Sequence, residues 1–174
     1  RVAMFINATK KPEFAIYNKS LNGPLAYYAS TGSAAYDTTR LIKIADLGST
    51  FIPLAGNFGT RSHFLFIQSA PVLVGNQVYL CDTVSCETKQ FHSGDKIPAA
   101  VVTRVDDDEK DDVVVGLDNF RDAIGQTYNA LAAVTLHEGL DPLYTPIAIS
   151  SLAGYQVIAM TAGEINGDGK EDMA

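Results

Sequence analysis

A ten-residue pattern occurs twice in this chain, 60 positions apart and without a gap (Asp108 to Asp168, for instance). Thr103-Arg104-Val105-Asp106-Asp107-Asp108-Glu109-Lys110-Asp111-Asp112 aligns with Gly163-Glu164-Ile165-Asn166-Gly167-Asp168-Gly169-Lys170-Glu171-Asp172. Asp108, Lys110 and Asp112 match Asp168, Lys170 and Asp172 identically; Val105 matches Ile165 and Asp106 matches Asn166. The first copy runs straight into Val113-Val114-Val115. A degraded third stretch, Ala55 to His63, runs in the same way into Phe64-Leu65-Phe66-Ile67; it has lost the acids and reads as shorter. A fixed period of this kind means that one supersecondary unit recurs and that its copies bury their faces against one another.

Between the loops the apolar runs are short, rich in β-branched and aromatic residues, and bounded by Gly, Pro, Asn and Asp, which predicts strands and turns. Expected strands are Ala3–Ile6, Glu13–Tyr17, Leu25–Ala29, Phe51–Leu54, Phe64–Gln68, Val78–Cys81, Ala99–Thr103, Asp112–Gly116, Asn129–Leu136, Pro146–Ser150 and Tyr155–Ala162. Phe120 to Ala133 can be drawn as a helix, but Gly125, Thr127 and Tyr128 make a poor one, so a loop followed by a strand is the better reading. Each interval then holds about four short strands. One small twisted sheet cannot cover both its faces, and stacking such sheets radially gives the blades of a β-propeller. The expected fold is therefore all-β, a propeller segment of about three four-stranded antiparallel blades. The units run over roughly 1–55, 56–103 and 104–163, with the next repeat starting at 164–174. Three units do not close a ring, so the chain reads as a segment of something longer, with the remaining blades supplied by further sequence or by another chain.

The alternation of oxygen-bearing side chains gives the acidic loops their chemistry. Calcium takes six to eight oxygens in flexible geometry. Counting from Glu164, positions 1, 3, 5 and 9 are Glu164, Asn166, Asp168 and Asp172, and position 7, Lys170, can offer only its backbone carbonyl. Gly167 and Gly169 permit the positive φ of a sharp curl. The competing reading is a solvated acidic turn, since Asn-Gly and Asp-Gly are ordinary hairpin signals; the alternation, the two glycines and the second copy favour calcium. An EF-hand would need a helix before the loop, where the residues read as a strand. In the other copy the set is Asp106, Asp108, the Lys110 carbonyl and Asp112, with Arg104 in the first ligand's place. Two outcomes stay open: its guanidinium bridges Asp106, Asp108 and Asp112 and stands in for the ion, or calcium binds weakly through the surplus acids. The stretch Asn57–His63, with Arg61 and His63 where acids should be, is expected to bind none.

Other features narrow the function classes. A net charge of −7 disfavours binding to nucleic-acid phosphates. No apolar run reaches the ~18 residues of a transmembrane helix. Cys81 and Cys86 leave a small disulfide loop and two free thiols equally open. Asn7-Ala8-Thr9 and Asn18-Lys19-Ser20 are glycosylation sequons. His63, His92 and His137 stand alone in their segments, and no nucleophile elbow or phosphate-cradling loop occurs, so an enzyme is not expected. Tyr27, Tyr28, Tyr79, Phe91, Tyr128 and Tyr155 are read as packing between blades rather than lining a sugar or protein surface.

At Glu164–Asp172 and Arg104–Gly116 the sequence resembles the FG-GAP/VCBS repeat family, which includes the propeller of integrin α subunits. The pattern is Asp-x-Asx-x-Asp-Gly-x-x-Asp, then an apolar strand and a glycine, here Asp112-Val113-Val114-Val115-Gly116; Glu164 and Arg104 depart from it. The resemblance implies four-stranded blades, calcium in a loop leading into the first strand, and an extracellular or cell-surface setting. It implies a calcium-stabilised binding or adhesion module for a protein or glycan. The alternative is a structural shell propeller of a toxin complex with Rhs-type repeats or another large secreted assembly. A propeller attached to a hydrolase ranks third.

Overall fold

A computed structural model of the chain describes residues 2–6, 12–17, 24–30, 36–43, 51–60, 63–69, 76–82, 85–90, 96–106, 108–136, 138–139, 143–147, 154–168 and 170–174. Among them the structure is all-β. Three four-stranded antiparallel meanders follow one another along the chain. The first comprises β1 (Val2–Ile6), β2 (Pro12–Tyr17), β3 (Pro24–Ser30) and β4 (Tyr36–Lys43); the second β5 (Phe51–Ala55), β6 (Phe64–Gln68), β7 (Gln77–Cys81) and β8 (Cys86–Gln90). The third comprises β9 (Ala100–Thr103), β10 (Asp112–Arg121), β11 (Thr127–Thr135) and β12 (Leu143–Ile147). A two-stranded sheet, β13 (Ala162–Gly163) with β14 (Asp172–Met173), comes last. The leading strands of successive sheets touch: β1 with β5, β5 with β9, β9 with β13.

The uninterrupted run Phe64-Leu65-Phe66-Ile67 explains why the second sheet is the middle layer. Side chains alternate across a strand, so a run without polar interruption must be covered on both faces. Phe64 and Phe66 point to one side, where they pack with Phe51, Tyr79, Cys81 and Ala3 of the first sheet. Leu65 and Ile67 point to the other, where with Val78 and Leu80 they meet Val113, Val115, Leu117, Ala130, Ala132 and Val134 of the third. Phe51 and Tyr79 pack edge to face at 5.6 Å.

Cys81 and Cys86 face each other across the β7–β8 pair and form a disulfide. Replacing both with serine is expected to lower the unfolding free energy by about 2 kcal/mol, the loop-closure value for so short a ring; the shift of the urea midpoint measures it. Burial raises the Tyr79 phenol above its usual pKa, and its hydroxyl donates to Gln77 Oε1 at 2.7 Å. The unfolded chain therefore gives up this proton first. Stability is unaffected by Tyr79 below about pH 10 and falls as pH rises through the folded value. Denaturant midpoints between about pH 8 and 11 should show this fall, and Tyr79→Phe should flatten it.

Several expectations are corrected. Tyr155–Ala162 does not form the expected strand: β-structure starts only at Ala162. Tyr155 and Ile158 are exposed, while Val157 is laid against Gly116, where an added Cβ would sit 2.8 Å from the Val157 side chain. This segment crosses the outer face of the third sheet, and Asn129 Nδ2 ties it down by donating to the Tyr155 carbonyl. Two strands were not foreseen, β4 and β8. Both are edge strands of their sheets. Strand β12 lies three residues earlier than the expected Pro146–Ser150. Strand β10 continues past Gly116 through an irregularity between Leu117 and Phe120, where Asn119 takes φ 62° and its N–H donates to Asn129 Oδ1. The Phe120–Ala133 stretch, by contrast, agrees with the favoured reading: after a strand end it forms a turn at Asp122–Gln126 and a second strand, and it holds no helix.

Tyr128 packs edge to face on Phe120 at 5.5 Å, and Tyr79 is in the core, whereas Tyr155 is exposed. Tyr27 and Tyr28 lie in β3. Phe91, His92, His137 and both sequons fall outside the described residues. Among the described residues no helix is long and apolar enough to cross a membrane.

Candidate metal centre

The repeated loops do not lead into a sheet; each joins the first strand of its sheet to the second. Register makes them equivalent. Ala55 pairs with Phe64, Thr103 with Asp112 and Gly163 with Asp172, so each hairpin encloses eight residues, 56–63, 104–111 and 164–171. The first loop is thus no shorter than the others, contrary to the sequence reading.

In the last loop Asn166 and Asp168 turn inward because each caps a backbone N–H two residues on. Asn166 Oδ1 accepts from the Asp168 N–H at 2.9 Å, and Asp168 Oδ1 from the Lys170 N–H at 2.8 Å. Asp172 Oδ2 reaches back to the Ile165 N–H at 3.0 Å. Gly167, at φ 84°, takes the left-handed turn, and its N–H donates to Glu164 Oε1 at 2.6 Å. The result is convergence. Asn166 Nδ2 lies 3.5 Å from Asp168 Oδ2 and 3.3 Å from Asp172 Oδ1. The partial positive charge of a carboxamide N–H thus sits where two carboxylates meet.

This donor set fits a hard cation. It is held by one contiguous loop and is exposed except at the half-buried Asp172, and its side chains carry oxygens; Asn166 turns Nδ2 to the two carboxylates, so its amide would have to rotate to offer Oδ1 to an ion. Residues fit to hold calcium are Asp168, Asp172 and Asn166, with the Lys170 carbonyl and the free oxygen of Glu164 available to complete the shell. Among the described residues no group of three or more His, Cys, Asp or Glu side chains forms a ready-made cage. Glu164 is turned towards Gly167, and closing it on an ion would require that contact to give way.

The middle loop reproduces three of these bonds. Val105 N–H donates to Asp112 Oδ2 at 3.0 Å, Asp108 N–H to Asp106 Oδ1 at 3.0 Å, and Lys110 N–H to Asp108 Oδ1 at 2.8 Å. Arg104 corrects the sequence reading: its Nε pairs with Asp111 Oδ1 at 3.4 Å, an acid outside the trio Asp106, Asp108 and Asp112. Asp112 is fully buried, unlike Asp172.

The first loop is corrected as well. Strand register puts Phe58 where Asp106 and Asn166 stand, and Phe64 where Asp112 and Asp172 stand. Both rings are buried, Phe58 in one core and Phe64 in the other. Apolar side chains thus stand at the positions that Asp106, Asn166 and the closing Asp hold in the other two loops, and they are committed to the cores on either side of the sheet. Its Thr60 instead donates from N–H and Oγ1 to Glu138 Oε2 of the neighbouring sheet, each at 3.0 Å.

Sequence reasoning missed the acids that face away from the loop centres. Asp111 Oδ2 accepts from the Asn57 N–H at 2.7 Å, and the Asp111 N–H donates to the Asn57 carbonyl at 2.9 Å. Glu171 Oε2 accepts from Thr103 Oγ1 at 2.7 Å and from the Arg104 N–H at 3.3 Å. The available signal was an acid immediately before the last Asp in both copies. His63 is half-buried beside the first loop, with its carbonyl accepting from the Gly56 N–H at 3.1 Å. No family model matches this chain, and no curated protein matches it.

Proposed function

We propose that the chain is part of a calcium-stabilised β-propeller that acts as a binding or scaffold module of an extracellular or cell-surface protein. The observation that carries this reading is the identical set of three side-chain-to-backbone hydrogen bonds in two loops 60 residues apart, with the Asp168 and Asp172 carboxylates meeting at Asn166 Nδ2 in the second. Three further facts support it: successive four-stranded meanders, contact between their leading strands, and a disulfide suited to an oxidising compartment. When bound, calcium would neutralise the clustered carboxylates of Glu164, Asp168 and Asp172. The chain's own part is to hold these acids on a turn already fixed by its backbone hydrogen bonds, so that the ion is a structural staple.

Calorimetric titration of the metal-free chain with calcium tests this reading; one binding event with a higher melting temperature is expected. No heat and no thermal shift would overturn it. Binding to a glycan array or to host surface proteins, retained in calcium and lost on chelation, would support adhesion. A calcium-stabilised chain that captures neither would favour the structural-wall form of the same module.

A further inference from the structure

Neighbouring residues at the end of each acidic loop point in opposite directions because they enter a strand, where successive side chains alternate. Asp172 turns into its own loop, onto the Ile165 N–H. Glu171 turns out of it, onto Thr103 Oγ1 and the Arg104 N–H of the neighbouring sheet. The arrangement recurs one sheet earlier: Asp112 turns onto Val105 of its own loop, and Asp111 turns onto Asn57 of the preceding sheet. The two consecutive acids therefore fix the inside of one hairpin and its junction with the preceding sheet.

We propose that Glu171 is a positioning residue that couples calcium occupancy of the last loop to the docking of that loop on β9; this rests on the calcium reading above. An ion that holds Asp172 also restrains the backbone between residues 171 and 172, and with it the point from which the Glu171 side chain reaches its partners. Without it the loop carries clustered negative charge, and the Glu171 clamp is made by a hairpin that is less well ordered. The coupling is local, carried by one peptide link and two hydrogen bonds. Its natural reporter is the Arg104 amide, which belongs to the middle loop and donates to Glu171 at 3.3 Å.

Hydrogen exchange of the full chain with and without calcium tests the proposal. In the wild type, calcium should slow exchange in residues 163–173 and also at the Arg104 amide, the latter on the order of fivefold or more. Glu171→Ala should keep the slowing in the loop and lose it at Arg104. Glu171→Gln, whose amide oxygen still accepts both hydrogen bonds, should retain it. Protection of the loop with none at Arg104 in the wild type would overturn the coupling and leave the calcium site standing. Loss of calcium protection in the loop itself on Glu171→Ala would overturn it too, by making Glu171 a ligand. No protection anywhere would remove the calcium reading on which the proposal rests.

Discussion

Replacing Asp172 with alanine is expected to abolish the stabilisation by calcium while leaving the metal-free chain nearly as stable as before. Asp172 is the residue on which the loop converges. One oxygen fixes the Ile165 N–H and the other lies 3.3 Å from Asn166 Nδ2. At free calcium a hundredfold above Kd, a bound ion contributes about 2.7 kcal/mol. For a chain of this size that corresponds to roughly 5–10 °C in melting temperature. Differential scanning fluorimetry in calcium and in chelator measures it: the wild type should show the gap and the variant should not. Asp112→Ala is the informative partner. Its carboxylate is buried and holds the Val105 N–H, so removing it should destabilise the chain in chelator too. A calcium-dependent gap that persists in Asp172→Ala and vanishes in Asp112→Ala would move the site to the middle loop.

The largest loss of stability is expected from Phe66→Ala, about 3–5 kcal/mol. Phe66 is fully buried in the middle sheet, against Phe51, Tyr79 and Cys81 on the side that faces the first sheet. Two covering layers are less able to collapse into the space left by a ring than one layer beside solvent. Since native domains are stable by only about 5–15 kcal/mol, such a variant approaches the unfolding threshold. Urea denaturation in calcium and in chelator should give the same difference, because the ring is remote from the acidic loops in its chemistry. Ile158→Ala makes the control: this side chain is 86% exposed, and its removal should change stability by no more than about 0.5 kcal/mol.

Strands with an internal address were legible in the sequence. Phe64–Gln68 coincides with β6 because its apolar run is continuous and flanked by turn residues. The hairpin loops were legible because alternating Asx residues bond the backbone two positions on, a local interaction that needs no tertiary partner. Edge strands such as Cys86-Glu87-Thr88-Lys89-Gln90 were not, since half their surroundings are water and their residues carry no periodic signal. Even Lys89, 6% exposed, owes its burial to its sheet and to its ion pair with Glu87 at 3.2 Å. Tyr155–Ala162 misled because its apolar residues are those of a strand, yet the described segment crosses a sheet face and pairs only at its end.

What the sequence by itself determined is the all-β class and the turn-capping oxygens of Asn166, Asp168 and Asp172, which follow from short-range alternation, and the second acidic loop 60 positions earlier, which follows from identical residues. Tertiary structure decided which residues stand in equivalent places and what the remaining acids do. Only strand register shows that Phe58 and Phe64 stand at the positions of Asn166 and Asp172, because one residue of misalignment is invisible in a degraded copy and reverses every side chain. Only the packing of sheets brings Glu171 to Thr103 and Asp111 to Asn57, since those partners are 68 and 54 residues apart in the chain and meet nowhere but at the junction of two layers.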